Sequence, residues 1–272
     1  GAGAFTYVGQ SFGYTTAPVI TVTAQDASNA TTTRYAGSLW RITNASLTGK
    51  TYAAATGTLA TTGLPGTDPV IAGGAGTGTL TFGSGSGLLF SRSAPAAPFE
   101  ADIGLSINVI DADGVAYASN PVSFGAATSG NGIAFSAGKS MRFGRLLLQN
   151  AHGTQQIDLT IPVEAQYWSG TVWQRNVADN CTSLPATSLA KGNATGGLNA
   201  GSLSVGAWSN GAGTLTLAKP GDGSQGSVDI TVNLGGTANA NACPAWTPAA
   251  TASNLSWLRG QWCGGAYDRD PL

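Results

Sequence analysis

The chain has 272 residues, enough for one large domain or two ordinary ones, and only 9% of them are charged, against about 25% in an average soluble protein. A net charge of −1, with twelve scattered Lys and Arg, offers no basic stripe for nucleic-acid phosphates. No apolar run approaches the ~20 residues that cross a bilayer, and the opening Gly-Ala-Gly-Ala, with no cleavable signal, is what a mature product or an excised fragment would show.

Taken in order, residues 1–17 set Phe5, Tyr7, Phe12 and Tyr14 among Gly and Thr and read as an entry strand. Residues 19–24 alternate Ile20, Val22 and Ala24 with Thr21 and Thr23, the period of a strand. Residues 39–42 form a short predicted strand carrying Trp40, and the Thr, Ala and Gly of 50–78 predict loops with weak strands. Short apolar runs follow at 79–82 and 88–90. Next, Ile103, Leu105, Ile107 and Val109 alternate with small or polar neighbours, and Asp111-Ala112-Asp113-Gly114 closes that strand. The Gly, Ser and Ala of 120–138 read as a boundary zone.

The richest stretch runs from 141 to 181. It places Ile157, Leu159, Ile161, Val163, Ala165 and Tyr167 on one face and Gln156, Asp158, Thr160, Glu164 and Gln166 on the other. Ser169-Gly170 predicts a two-residue hairpin turn ahead of Val172 and Trp173. Further strands are expected at 214–217 and 228–234. No helical apolar stripe spans ~11 residues anywhere, so the fold class is all-β. An echo between 76–82 and 211–217, each ahead of a longer alternating strand, suggests tandem Ig-like antiparallel β-sandwiches. The expected division is 1–124 for the first and 125–272 for the second, which ends in an irregular tail.

Candidate chemistry is sparse. The single His, His152, sits in a predicted turn, a poor place to orient and desolvate a general base. Glu100 and Asp102 would both project outward beside their strand, which makes a solvated edge rather than a glycosidase pair. These patterns point to a protein that is not an enzyme. Asp111 and Asp113, two apart and followed by Gly114, can begin a calcium loop, the one cofactor the sequence suggests, although the later ligands of such a loop are missing. Trp168 falls on the polar face of its strand, and with Trp173 it is the candidate for stacking on a sugar. Three Cys permit three single disulfides, and loop entropy barely separates them. Cys181 leaves a hairpin and Cys243 follows the 228–234 strand, so Cys181–Cys243 is the expected pair, leaving Cys263.

Several motifs carry a resemblance. They are Arg142-Phe143-Gly144-Arg145-Leu146, Leu148-x-Asn150-Ala151-x-Gly153, Leu159-x-Ile161-Pro162-Val163, Gln166-Tyr167-Trp168-x-Gly170 and Asp179-x-Cys181-Thr182. Pro98-Phe99-x-Ala101 and the tail Tyr267-Asp268-Arg269-Asp270-Pro271 extend it over essentially the whole chain. Together these resemble the large C-terminal domain of MshQ-like proteins, which belong to the mannose-sensitive haemagglutinin system, a type IV pilus of Gram-negative bacteria. The resemblance implies an extracellular or outer-membrane surface location, a structural or adhesive role beside other pilus or surface-protein subunits, and no catalytic residues. The alternative expectation is a carbohydrate-binding module that takes a host or environmental glycan. Neither reading involves nucleic acid or a membrane-spanning segment.

Overall fold

β-Branched and aromatic residues alternating with Thr and Gly favour pleated, half-buried strands over helices. The computed structural model of the chain describes residues 5–17, 19–63, 69–83, 87–134, 139–235 and 253–258. In order the strands are β1 (Thr6–Tyr7), β2 (Val19–Thr23), β3 (Leu47–Ala54), β4 (Leu59–Ala60), β5 (Val70–Gly74) and β6 (Thr77–Thr81). Then come β7 (Leu89–Phe90), β8 (Phe99–Glu100), β9 (Ile103–Val109), β10 (Val122–Phe124), β11 (Ser140–Arg142) and β12 (Gly144–Leu148). The last are β13 (Leu159–Trp168), β14 (Trp173–Arg175), β15 (Leu189–Gly192), β16 (Leu203–Val205), β17 (Ala212–Leu217) and β18 (Asp229–Val232). Helix among the described residues is confined to single 3-10 turns, and none is long or apolar enough to cross a membrane. The fold is all-β, in small, mostly antiparallel sheets.

Contacts divide the chain into two units. An N-terminal unit holds Ser11–Ser91 and Phe99–Ser140, and a C-terminal unit gathers Gly1–Gln10, Arg92–Pro98 and Met141–Leu272. The sequence suggested one cut at 124/125, whereas here the chain stays in the N-terminal unit until Ser140. The reason lies in residues 126–134, which fold back over the start of β9: Ile133 is buried and donates its N–H to Ile103 O, 3.0 Å away.

In the N-terminal unit the order β10-β9-β3 makes one sheet and β2-β6-β5 another. The stretch 50–78, expected to be mostly loop, supplies most of β3, an eight-residue strand, and all of β5. Residues 39–42, expected to be a strand, instead close the 3-10 turn Gly37–Leu39 and run on from Trp40 as irregular chain. The alternation read in β9 is real, and Ile103, Leu105, Ile107 and Val109 are all buried.

Asp102 corrects the expectation of a solvated Glu100–Asp102 edge. Glu100 is exposed, but Asp102 is only 3% exposed because the returning loop covers it. Gly130 N and Gly132 N donate to its carboxylate at 2.9 and 3.1 Å, and Lys139 Nζ lies 3.1 Å from Oδ1. A Cβ on Gly132 would come within 2.5 Å of Asp102 Cα, so only glycine lets the loop approach this closely. The Gly130 hydrogen bond leads the interactions that hold the Asp102 carboxyl below the usual carboxylate range, and burial opposes it.

The C-terminal unit is built on β13. It pairs with β12 on one edge and with β17 and then β14 on the other. Ala165 marks the change of partner: its N–H bonds Gly211 O and its C=O accepts from Asn176 N. The larger sheet runs β12-β13-β17-β16, with β14 added beside β13, and β15 and β18 form a second, two-stranded sheet. Leu146, Ile161, Val163, Ala165 and Leu215 share one core with Val232 of the smaller sheet and Leu234 just beyond it, which makes this unit a two-layer packing. The two members of the sequence echo, β6 and β17, are each an inner strand of their sheet.

The predicted face holds from Ile161 to Ala165 and fails at Ile157, which is 63% exposed. β13 starts only at Leu159, and beyond a strand end alternation no longer decides direction. The hairpin after Trp168 is likewise longer than expected. Four residues, Ser169 to Val172, form the loop, closed by Ser169 N on Val172 O at 2.9 Å and by Ser169 Oγ accepting from Val172 N at 3.1 Å.

Ile161→Ala should therefore destabilise the protein by about 2–5 kcal/mol, while Ile157→Ala should stay within about 0.5 kcal/mol. Urea unfolding of both variants checks the assignment. Because the Asp102 pKa is lowered on folding, its contribution is fully present above the unfolded carboxyl pKa of about 3.9 and is lost as pH falls through the folded value. Asp102→Asn should lower the melting temperature at pH 7 and flatten the acid limb of the stability profile. An unchanged acid limb, read by thermal unfolding from pH 7 down to pH 2, would refute this.

Candidate functional site

Two faces of the β13 sheet carry the side chains with most chemistry. On the core side, at the end next to β1, a polar cluster is closed off from solvent. Asp179, 2% exposed, accepts from Tyr7 Oη at 3.0 Å, from Thr182 Oγ1, and from the backbone N–H groups of Cys181 and Thr182 at 3.1 and 2.9 Å. Fully buried Asn176 donates to Tyr7 Oη at 2.8 Å and accepts from Arg142 Nη1. The Tyr7 ring lies against Gly144, where a Cβ would sit 2.5 Å from the ring edge, so glycine is required at that place in β12. Burial, and then the charge of Asp179, push the Tyr7 phenol far above its usual pKa range, so it stays a neutral donor. Every buried polar atom named here has a partner, and the arrangement clasps β1 and the segment after β14 to the sheet.

The outer side is different. Strand register puts Arg145, Gln166 and Arg175 in one row and Trp168 opposite Trp173 in the next, all on one face. The two indoles meet edge to face, with ring centroids 5.5 Å apart, and both are half-buried. The Arg145 guanidinium lies 4.4 Å from the Trp173 ring centroid, and Phe143 approaches the same ring at 6.2 Å. Arg145 Nε donates to Gln166 Oε1 at 2.9 Å, and Gln166 Nε2 donates to Glu164 Oε2 at 3.0 Å. These contacts link the side chains of the face to one another. Arg175 and Val172 at the hairpin are exposed. The 92–98 segment borders this face: Arg92 stacks 3.8 Å from the Phe143 centroid, and Ala97 Cβ lies 3.1 Å from where a Gly170 Cβ would be.

The other sequence candidates have different fates. Asp111 binds its own turn: Oδ1 accepts from Asp113 N at 3.0 Å and Val115 N at 2.8 Å, while Oδ2 accepts from the Tyr35 hydroxyl at 2.8 Å. Burial resists its ionisation, yet the Tyr35 and backbone donors outweigh that and hold the carboxyl below its usual range. Asp113 points away, 3.7 Å from Arg41 Nε and exposed. The Asp111 carboxylate thus caps an Asx-type turn while that of Asp113 faces Arg41, and among the described residues no three His, Cys, Asp or Glu side chains gather as a metal set. Cys181 is exposed and forms no disulfide among the described residues; Cys243 and Cys263 lie outside them. His152 is exposed in a loop. At the far end of β13, about 30 Å from Trp168 along the strand, Gln155, Ile157, Leu159, Leu198, Leu217 and Ser224 line part of a half-open groove of about 290 Å³.

The sequence brought Trp168 and Trp173 forward, and the structure joins them. It gave no sign of Tyr7, whose partner Asp179 lies 172 residues away, nor of the row through Arg145 and Arg175, which exists only once the strand register is set. Asp179-x-Cys181-Thr182 did hold a local signal, since an Asp that receives the N–H groups two and three residues on is a turn former.

Tyr7→Phe should leave Asp179 and Asn176 short of a buried partner and cost about 1–3 kcal/mol. Arg142→Ala should destabilise through Asn176 in the same way. Chemical unfolding tests both, and a loss below about 0.5 kcal/mol in Tyr7→Phe would mean that the clasp does not hold β1.

Profiles of two domains of one family together cover nearly the whole chain. Residues 1–138 match the third domain of DUF6701 and residues 142–272 match its fourth domain. No curated protein and no solved structure matches the chain. The two profile matches meet between residues 138 and 142, within a few residues of Ser140, where the N-terminal unit ends. The chain belongs to the DUF6701 family, of which it spans the third and fourth domains.

Proposed function

We propose that this chain is a non-enzymatic structural and adhesive module of a Gram-negative cell surface, part of an MshQ-like protein associated with a type IV pilus. The observation that carries the proposal is how the acids are used in a chain with so little charge. Asp102, Asp111 and Asp179 each turn a carboxylate onto backbone N–H groups and hold a loop or turn in its path. Such a build supports rigid display of surfaces more than proton transfer at a cleft. The motif resemblance over 142–182 and the Thr-rich, weakly charged composition add support for a surface location. Its partners would be other pilus or surface-protein subunits, with a glycan as the ligand.

Protease treatment of intact cells that produce the protein tests this. The protein should be cleaved without lysis, and deletion of its gene should reduce attachment or piliation. A protein fully protected in intact cells, whose loss leaves both unchanged, would sink the proposal.

A further inference from the structure

We propose that the outer face of the β13 sheet, centred on Trp168, Trp173 and Arg175, binds an acidic polysaccharide, a pyranose chain bearing carboxylates. This rests on the reading of the chain as an adhesive surface module and names the ligand of that module.

The indole pair gives apolar ring surface for the C–H faces of a sugar, half-exposed at the end of the sheet. Beside it the polar row is ordered in advance. Arg145 is pinned between the Trp173 ring and Gln166, and Gln166 is held in turn by Glu164, so little side-chain freedom remains to be lost on binding. Arg175, opposite Gln166, is exposed and makes no ion pair or side-chain hydrogen bond among the described residues. Among the described residues of the β12, β13 and β14 rows, the guanidinium groups of Arg145 and Arg175 stand beside a single carboxylate, Glu164, which is already engaged by Gln166. That balance suits an anion better than a neutral sugar. A guanidinium presents paired donors that match a carboxylate's two oxygens. Aromatic and cationic rows lie side by side at strand spacing, close enough for one sugar residue to touch both.

Electrophoresis of the 272-residue chain in native gels containing polygalacturonate, dextran sulfate or plain dextran tests the proposal. Retardation is expected with polygalacturonate and not with dextran. Trp168→Ala and Arg175→Glu should each weaken it roughly tenfold, the loss of one anchoring contact. Unchanged mobility in polygalacturonate, or retardation by dextran sulfate alone, overturns the carboxylate assignment. Binding that survives both substitutions overturns the site. Should Trp168→Ala lower the melting temperature, exposed Arg175→Glu carries the test, because its side chain supports nothing beneath it. Cells whose protein carries both substitutions, remains protease-accessible and attaches at the parental level would refute this face as the site while leaving the adhesive role standing.

Discussion

The pairing of β13 on both edges constrains most of the C-terminal unit. A strand held on two sides cannot shift by one residue without turning Ile161, Val163 and Ala165 outward and Glu164 and Gln166 inward. Its register therefore fixes two surfaces at once. One is the core shared with Val232 and Leu234, and the other is the outer face with its aromatic and arginine rows. The handover at Ala165, from β17 to β14, also determines where the hairpin leaves the sheet and where Asn176 and Asp179 enter the interior.

Buried carboxylates do a second, repeated job. Asp102 and Asp179 lie in different units, yet each is desolvated and each receives two backbone N–H groups from a loop that would otherwise have to satisfy them in water. The difference between them is the third partner. Asp102 has a cation, Lys139, whereas Asp179 has two hydroxyls, those of Tyr7 and Thr182. Asp26 and Asp222 repeat the pattern at exposed turns, where Ser28 and Ser224 are the leading causes of their lowered pKa values. Long loops rich in Gly, Ser and Asn can thus keep a defined path without much apolar surface of their own.

Much of the sheet framework was legible from period alone. The alternation in β9 and in the middle of β13 names the buried residues, because one face of each strand meets a core. Period failed where the chain is nearly all Thr, Ala and Gly. β3 and β5 pair well, but their small side chains leave little hydrophobic contrast to read. It failed again at Asp102, since burial there is imposed by a loop from thirty residues on, through contacts that no local pattern encodes. The tryptophan pair was visible because Trp168 broke the polar face of its own strand. The arginines beside it were not, as their place depends on which residue of β12 or β14 lies opposite Gln166.

The C-terminal unit is stitched from three separated lengths of chain, with the first ten residues among them. During synthesis Tyr7 leaves the ribosome well before Asn176 and Asp179 and must wait for them before its hydroxyl has a partner. The β1 segment thus completes its contacts late, after the N-terminal unit has had its full length available. Contacts of such sequence separation slow folding and leave the early segment open to other partners meanwhile. The same stitching bears on dissection. An expression fragment that starts at residue 142, where the second profile match begins, would leave Asp179 and Asn176 buried without the phenol that joins them, so a faithful minimal version of this unit has to carry the β1 segment along, grafted or supplied as a separate peptide.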